Sequence, residues 1–290
     1  MSEWYHEEPR RFREAITFTE ADSGFISRLI EKDYYCSLIL HDLAILFQQG
    51  LIFKGGTCLS KVHAEFFRLS EDLDFAISIR PDASRGERRQ AVMAVRHHLN
   101  TIPSRLQCFE QIEEICGHND SCQYAGRLAY RSAVTGEHEF IKVEISLREE
   151  AIQLPQMLPA RTMLRDPHTG AAVIAPVEVQ ALSLVEAYAE KIRAALTRRD
   201  PAIRGFFDID HAVKTALFDH RSQPLLDLVA AKLAIDGNHP ADLSPDKIAI
   251  LNGQIESQLR SVLRQRDYEA FDLQRVITIL EEVINLHQLR

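Results

Sequence analysis

At 290 residues with 46% hydrophobic content, the chain is long enough to bury a sizeable core, most simply as two packed domains. Its formal net charge of −8 argues against a protein coated in nucleic acid but leaves room for a local basic patch. Apolar runs extend for only a few residues, far short of the roughly 20 that a membrane helix needs, so no membrane partner is expected. The opening residues, MSEWYHEEPRRFRE, lack the apolar stretch of a secretory signal. Cys36, Cys58, Cys108, Cys116 and Cys122 make an odd number without framework spacing, which fits reduced thiols and a cytoplasmic location.

In chain order, residues 1–22 read as an irregular or partly helical arm with no assigned chemistry. Over 24–49, Phe25, Ile26, Leu29, Ile30, Tyr34 and Leu38 recur at helical spacing, predicting an amphipathic helix packed on a sheet and ended by Gly50. A short strand, Leu51–Lys54, follows. A helix over 57–67 is then expected, with Leu59, Val62 and Phe66 on one stripe. Residues 72–79 alternate as a strand, and 84–100 form a basic surface helix that turns Val92, Val95 and Leu99 inward. Strands are expected over 106–115, 124–134 and 140–147. Residues 151–176, with Pro155, Pro159, Pro167, Gly170 and Pro176, read as a connector, dividing the chain into domains 1–160 and 161–290. Beyond it the pattern is helical: 177–196 with Leu182, Val185, Ala189, Ile192 and Leu196 on one stripe, then 201–218, 222–236, 244–264 and 268–288.

The chemistry concentrates between Phe53 and Ile79. Lys54-Gly55-Gly56-Thr57 closes an apolar strand and opens a helix, leaving backbone N–H groups to hold an anion such as a phosphate. Arg68-x-Ser70 leads into Asp72-Leu73-Asp74. In a strand, Asp72 and Asp74 face one way, roughly 6 to 7 Å apart at Cα, while Leu73, Phe75, Ile77 and Ile79 face the other. Glu144 lies on the polar face of a second alternating strand. Three such carboxylates suit Mg²⁺, which keeps water or substrate phosphate in its remaining positions and supports phosphoryl or nucleotidyl transfer. The glycine turn is not a Walker A loop, because G-x-x-x-x-G-K-[ST] is absent. Positive charge gathers in Arg80, Arg85, Arg88, Arg89 and Arg96, and again in Lys191, Arg193, Arg198, Arg199 and Arg204, each group a candidate phosphate-binding surface. Cys116, His118 and Cys122 lack the second ligand pair of a zinc site.

Lys54-Gly55-Gly56-Thr57, Arg68-x-Ser70-x-Asp72-x-Asp74-Phe75, and a downstream Lys191 followed by Arg204 and Asp208 resemble the AbiEii/AbiGii nucleotidyltransferase toxins, which include the MenT-like toxins. The likeness covers roughly residues 50–215. It implies an α/β (α+β) fold: a polymerase-β-like nucleotidyltransferase domain with a mixed sheet, then a helical C-terminal domain, with the active site in the cleft between them. It further implies nucleotide binding by Gly55, Gly56 and Thr57 with Arg68 and Ser70, Mg²⁺ at Asp72 and Asp74, and completion of the site by Lys191 and Asp208, with Glu144 as a third carboxylate. Where the family often reads Arg-Asp-x-x-Asp, this chain reads Arg204-Gly205-Phe206-Phe207-Asp208, so Asp208 competes with Asp210 for the last position. Ile203, Phe206, Val213 and Leu217 form a stripe that includes Asp210 and leaves Asp208 off it, favouring Asp208 as the site residue.

The expected activity, by resemblance, is transfer of a nucleoside monophosphate from an NTP to RNA, at the tRNA 3′ end, by a toxin that blocks translation and is opposed by a winged-helix antitoxin. The alternatives are a nucleotidyltransferase acting on a protein or small-molecule hydroxyl, and a catalytically silent nucleotide- or RNA-binding module.

Overall fold

Seven strands form in the first part of the chain, β1 from an apolar run and β2, β5 and β7 from alternating residues: β1 (Leu51–Lys54), β2 (Leu73–Ile77), β3 (Phe109–His118), β4 (Gln123–Arg131), β5 (His138–Ser146), β6 (Gln156–Ala160) and β7 (Val177–Ala181). The computed structural model describes residues 4–288. The strands form one mixed sheet in the order β3-β4-β5-β2-β1-β7-β6, with β2 parallel to β5, β1 parallel to β7, and the other neighbours antiparallel. On β5, Ile141, Val143 and Ile145 are buried while Lys142 is exposed and Glu144 half-buried, so the sheet has one core face and one wet face.

Helices α1 (Pro9–Ser23) and α2 (Ser27–Asp42) and the short α3 (Ala44–Phe47) precede the sheet. The helix expected over 24–49 is amphipathic in sequence, yet every residue of α2 from Leu29 to Leu40 is buried. Its charged residues therefore need partners inside the protein. Glu31 accepts bonds from the Ser132 hydroxyl and from the Ala133 N–H at 2.6 Å. Lys32 approaches Glu71 at 3.4 Å, and Asp33 pairs with Lys61 at 2.6 Å.

Three expected elements take a different form. The helix over 57–67 is only the four-residue α4 (Gly55–Cys58), continued by one π-helical turn, Leu59–His63. Glu65 and Phe66 then adopt positive φ, 48° and 58°, so the chain reverses sharply and buries Phe67 rather than Phe66. The expected connector 151–176 contains β6, and the start of the helix expected over 177–196 is β7. In β7, Val177, Val179 and Ala181 are buried while Glu178 and Gln180 are not, a period of two that apolar Leu182 and Val185 masked in sequence. Because β7 pairs with β1, the chain divides after it: the two compact units are Met1–Leu182 and Ser183–Arg290, the division falling later than residue 160.

The basic helix α5 (Arg85–Asn100) forms as expected, started by a capping box in which the Ser84 hydroxyl and the Glu87 side chain satisfy each other's backbone N–H groups. It buries Val92, Val95 and Leu99 and is followed by the short α6 (Ile102–Arg105). The second unit is all-helical among its described residues: α7 (Leu184–Thr197), α8 (Ile203–Lys214), α9 (Gln223–Leu233), α10 (Pro245–Gln254) with a π turn, α11 (Gln265–Glu269) and α12 (Leu273–Gln288). Within it Lys232 on α9, 1% exposed at the side chain, pairs with Glu186 at 2.7 Å and Glu190 at 3.2 Å on α7.

Candidate active site

The register of the sheet sets the site. Lys54 at the end of β1 lies opposite Asp74 on β2, and Asp74 lies beside Glu144 on β5. Partners in register point to the same face, so Lys54, Asp74 and Glu144 form a row across three strands, about 4.8 Å between neighbours. Asp72 immediately precedes β2 and is half-buried.

The glycine turn packs directly on this row. Gly55 has φ +75°, and a Cβ there would sit 2.1 Å from Asp74 Oδ2 and 2.7 Å from Asp74 Cβ. A Cβ on Gly56 would sit 2.5 Å from an Arg68 guanidinium nitrogen and 3.1 Å from Ser70 Oγ. Only glycine permits both the left-handed turn and the close approach. Gly55, Gly56, Arg68, Ser70 and Asp74 are thus brought together. Arg68 is 2% exposed, and its Nη1 donates to the Leu69 carbonyl at 3.2 Å.

Thr57 does not present an open hydroxyl. It is 2% exposed, and its Oγ1 donates to the carbonyl of Asp72. Ser60, one turn later, donates to the carbonyl of Arg68. These two bonds staple the glycine-turn helix to the segment carrying both aspartates.

Glu144 is held from two sides. Gln123 donates to its Oε1 at 2.6 Å, and Lys142 reaches its Oε2 at 3.0 Å. Gln123 and Lys142 carry no signal in the sequence, and Lys54 is marked there only as the first residue of the glycine motif, because only strand register identifies which residues flank a carboxylate. Among the described residues, no three His, Cys, Asp or Glu side chains gather as a metal site. The expected set of three carboxylates, Asp72, Asp74 and Glu144, is thus not gathered as a ready-made cage; their oxygens are hard ligands of the kind Mg²⁺ takes together with substrate phosphates. Cys116, His118 and Cys122 lie at the β3–β4 hairpin and form no such group.

In the second unit, Lys191 on α7 pairs with Asp208 on α8 at 2.8 Å. Asp210 is gripped by Arg275 through two bonds of 2.6 and 2.9 Å. The stripe does not separate them: Asp208 is 0% and Asp210 1% exposed, because α8 is buried on more than one side, with Phe206, Phe207 and Ile209 also inside. Their partners distinguish them instead. Asp210 joins α8 to α12, while Asp208 holds a lysine that is 20% exposed at the side chain.

These features define a class before they define a family: carboxylates and a glycine turn on a mixed sheet, followed by helices, are the parts of a nucleotidyltransferase. A family model described as "Nucleotidyl transferase AbiEii toxin, Type IV TA system" matches residues 39–277. The chain belongs to the AbiEii nucleotidyltransferase toxin family of type IV toxin–antitoxin systems. Among solved structures, it is similar to a Helicobacter pylori chain described as a candidate nucleotidyltransferase, at 16% identity and TM-score 0.47, covering 90% of this chain and 91% of that one. It is also similar to JHP933 from Helicobacter pylori, at 18% identity and TM-score 0.47, covering 90% and 88%. No curated protein matches the sequence. No helix among the described residues is long and apolar enough to cross a membrane.

Proposed function

We propose that this nucleotidyltransferase moves a nucleoside monophosphate from an NTP to an RNA hydroxyl, the 3′ end of tRNA, and so blocks translation. The observation that carries the reading is the contact of the Gly55 backbone with the Asp74 side chain in the row Lys54, Asp74, Glu144. It puts a backbone that phosphate oxygens can approach within a few ångströms of the carboxylates.

In this reading the backbone N–H groups of the Gly55–Gly56 turn meet the triphosphate, with Asp74 and Arg68 packed against the two glycines, and Lys54 adds positive charge at the same strand end. Asp72 and Asp74 hold Mg²⁺, which when bound neutralises the triphosphate and favours attack at the α-phosphorus. The acceptor hydroxyl oxygen forms the new bond to that phosphorus as the bond to the β-phosphate oxygen breaks and pyrophosphate leaves. Glu144, oriented by Gln123 and Lys142, receives the hydroxyl proton. The resemblance gives Lys191 the task of countering phosphate charge; its bond to Asp208 fixes where the ammonium points. An antitoxin of the winged-helix regulator type would oppose the toxin.

Incubating the purified protein with Mg²⁺, total RNA and each of the four α-labelled NTPs tests the reading. Label is expected in tRNA and absent with Asp74→Asn, which keeps the shape of the side chain. Label in a protein band or a small molecule overturns the RNA acceptor. NTP binding without transfer, unchanged by Asp74→Asn and by chelation, overturns catalysis altogether. Induced synthesis of the wild-type chain in a bacterial host should depress translation, and Asp74→Asn should not.

A further inference from the structure

The outward face of α5 is built at odds with its own stability. Arg85, Arg89 and Arg96 are exposed, as are Gln90, Met93 and His97, and no acid stands among them. Arg85 and Arg89 are one helical turn apart, a like-charge pair that destabilises a helix. Both also lie near the N-terminal end, where the helix dipole disfavours positive charge. The neighbouring basic residues are occupied: Arg80 pairs with Asp82 and Glu87 at 3.4 and 3.3 Å, and Arg88 donates to the Pro81 carbonyl at 2.8 Å. Glu87, the one acid of the helix, is spent on the capping box and Arg80. Arg85, Arg89 and Arg96 have no hydrogen-bond or ion-pair partner among the described residues. They extend over about 16 Å along the helix axis, eleven residues at 1.5 Å rise each. A protein of net charge −8 thus concentrates unpaired arginines on one helix face, joined to β2 by a short connection.

We propose that this face is a docking surface for the phosphate backbone of the RNA acceptor, a proposal that rests on RNA being the acceptor. Unpaired guanidiniums in a row complement a polyanion whose charges repeat along a line, and arginine holds phosphates with paired N–H groups. The surface positions the strand without reading its sequence, because phosphate contacts carry no base information. Met93, 56% exposed between the arginines, offers a soft apolar surface to a sugar or base.

The test is tRNA binding by the full chain, measured by fluorescence anisotropy across a salt series, for the wild type and for R85E/R89E/R96E. A second triple variant, R10E/R13E/R260E, makes the same change in net charge at exposed arginines elsewhere. The α5 variant should bind at least tenfold more weakly and lose about 2 to 3 from the slope of log affinity against log salt, since each phosphate contact contributes about 0.9 on a duplex. The control triple should keep the slope. In transfer assays the α5 variant should raise KM for tRNA tenfold or more with kcat held, and leave a dinucleotide acceptor, too short to span the helix, unaffected. Arg89→Gln alone, which conserves solubility and helix propensity, should remove about 1 from the slope.

The two readings fail separately. Wild-type affinity and slope in the α5 triple, or no tRNA binding by the wild type, overturns the surface. Loss of binding to phosphatidylserine vesicles with tRNA affinity intact also overturns it. Binding of tRNA through α5 without nucleotide transfer overturns the catalytic reading and keeps the surface.

Discussion

Gly50 and Gly55 share a left-handed backbone, φ +96° and +75°, but differ in what surrounds them. No atom lies within 4 Å of where a Gly50 Cβ would sit, whereas a Gly55 Cβ would collide with Asp74 Oδ2 at 2.1 Å. Gly50→Ala should therefore cost only the conformational strain, about 1–2 kcal/mol. Gly55→Ala should add displacement of Asp74, lowering nucleotide transfer at least a hundredfold, while Gly50→Ala leaves transfer within about twofold. Thermal melts and transfer rates of both variants check this; equal activity would show that the contact with Asp74 does not matter. The thiols make a second test at this scale. Burial pushes Cys36 up to about 12 and raises Cys58 further above the ordinary thiol range, and both are buried, while Cys116 is exposed. A disulfide reagent at pH 8 should modify Cys116 in the native protein and reach Cys36 and Cys58 only on unfolding, as peptide mapping after timed quenching would show.

Between elements, the Lys61–Asp33 pair is a buried polar tie of the first unit. Lys61 Nζ also donates to Ser37 Oγ at 2.7 Å, to the Asp33 carbonyl at 3.2 Å and to the Arg161 carbonyl at 3.3 Å, while the Met163 N–H donates to Asp33 at 2.8 Å. One ammonium thus joins α2, the π turn after the glycine segment, and the chain leaving β6. Lys61→Met would strand a buried carboxylate and should cost about 3–5 kcal/mol, with Asp33→Asn in the same chain recovering part of that loss. Urea unfolding of the single and double variants measures the coupling, and an additive double variant would contradict it. None of this was legible in the sequence, because Asp33 and Lys61 carry no local signature and meet only through the fold. The same limit hid Gln123 and Lys142 and the place of Lys54 opposite Asp74. What the sequence did show were features with a local cause: the apolar run of β1, the alternation of β2 and β5, the capped basic helix α5, and the glycine turn followed by Asp72 and Asp74. The stripe over 57–67 does not continue as a 3.6-residue repeat, because the Ala64 N–H bonds to the Leu59 carbonyl at 2.8 Å and the chain turns out at Glu65.

Taken over the whole molecule, the half-buried histidines His6, His63 and His211 set how stability follows pH. Burial lowers His6 to about 4 and also lowers His63 and His211 below the ordinary imidazole value. Each is harder to protonate folded than unfolded, so each contributes stability that is fully present above pH 6.5 and is lost as pH falls toward its folded value. For His6 that window runs from about 6.5 to about 4. Glu31 works in the opposite sense: burial raises it, so its carboxyl protonates more readily in the folded chain and returns stability as pH falls. With three groups against one, the urea midpoint should fall between pH 7 and pH 5. The lowered carboxylates Glu87, Asp242 and Glu282 keep their stabilising contribution above the ordinary carboxyl range and so add to the loss only below it. His6→Gln separates the contributions. Glutamine can bond the Tyr34 hydroxyl that His6 Nδ1 meets at 2.9 Å, but it does not titrate. Its midpoint should fall less than the wild type's over the same interval, and an unchanged fall would assign the pH dependence to His63 and His211 instead.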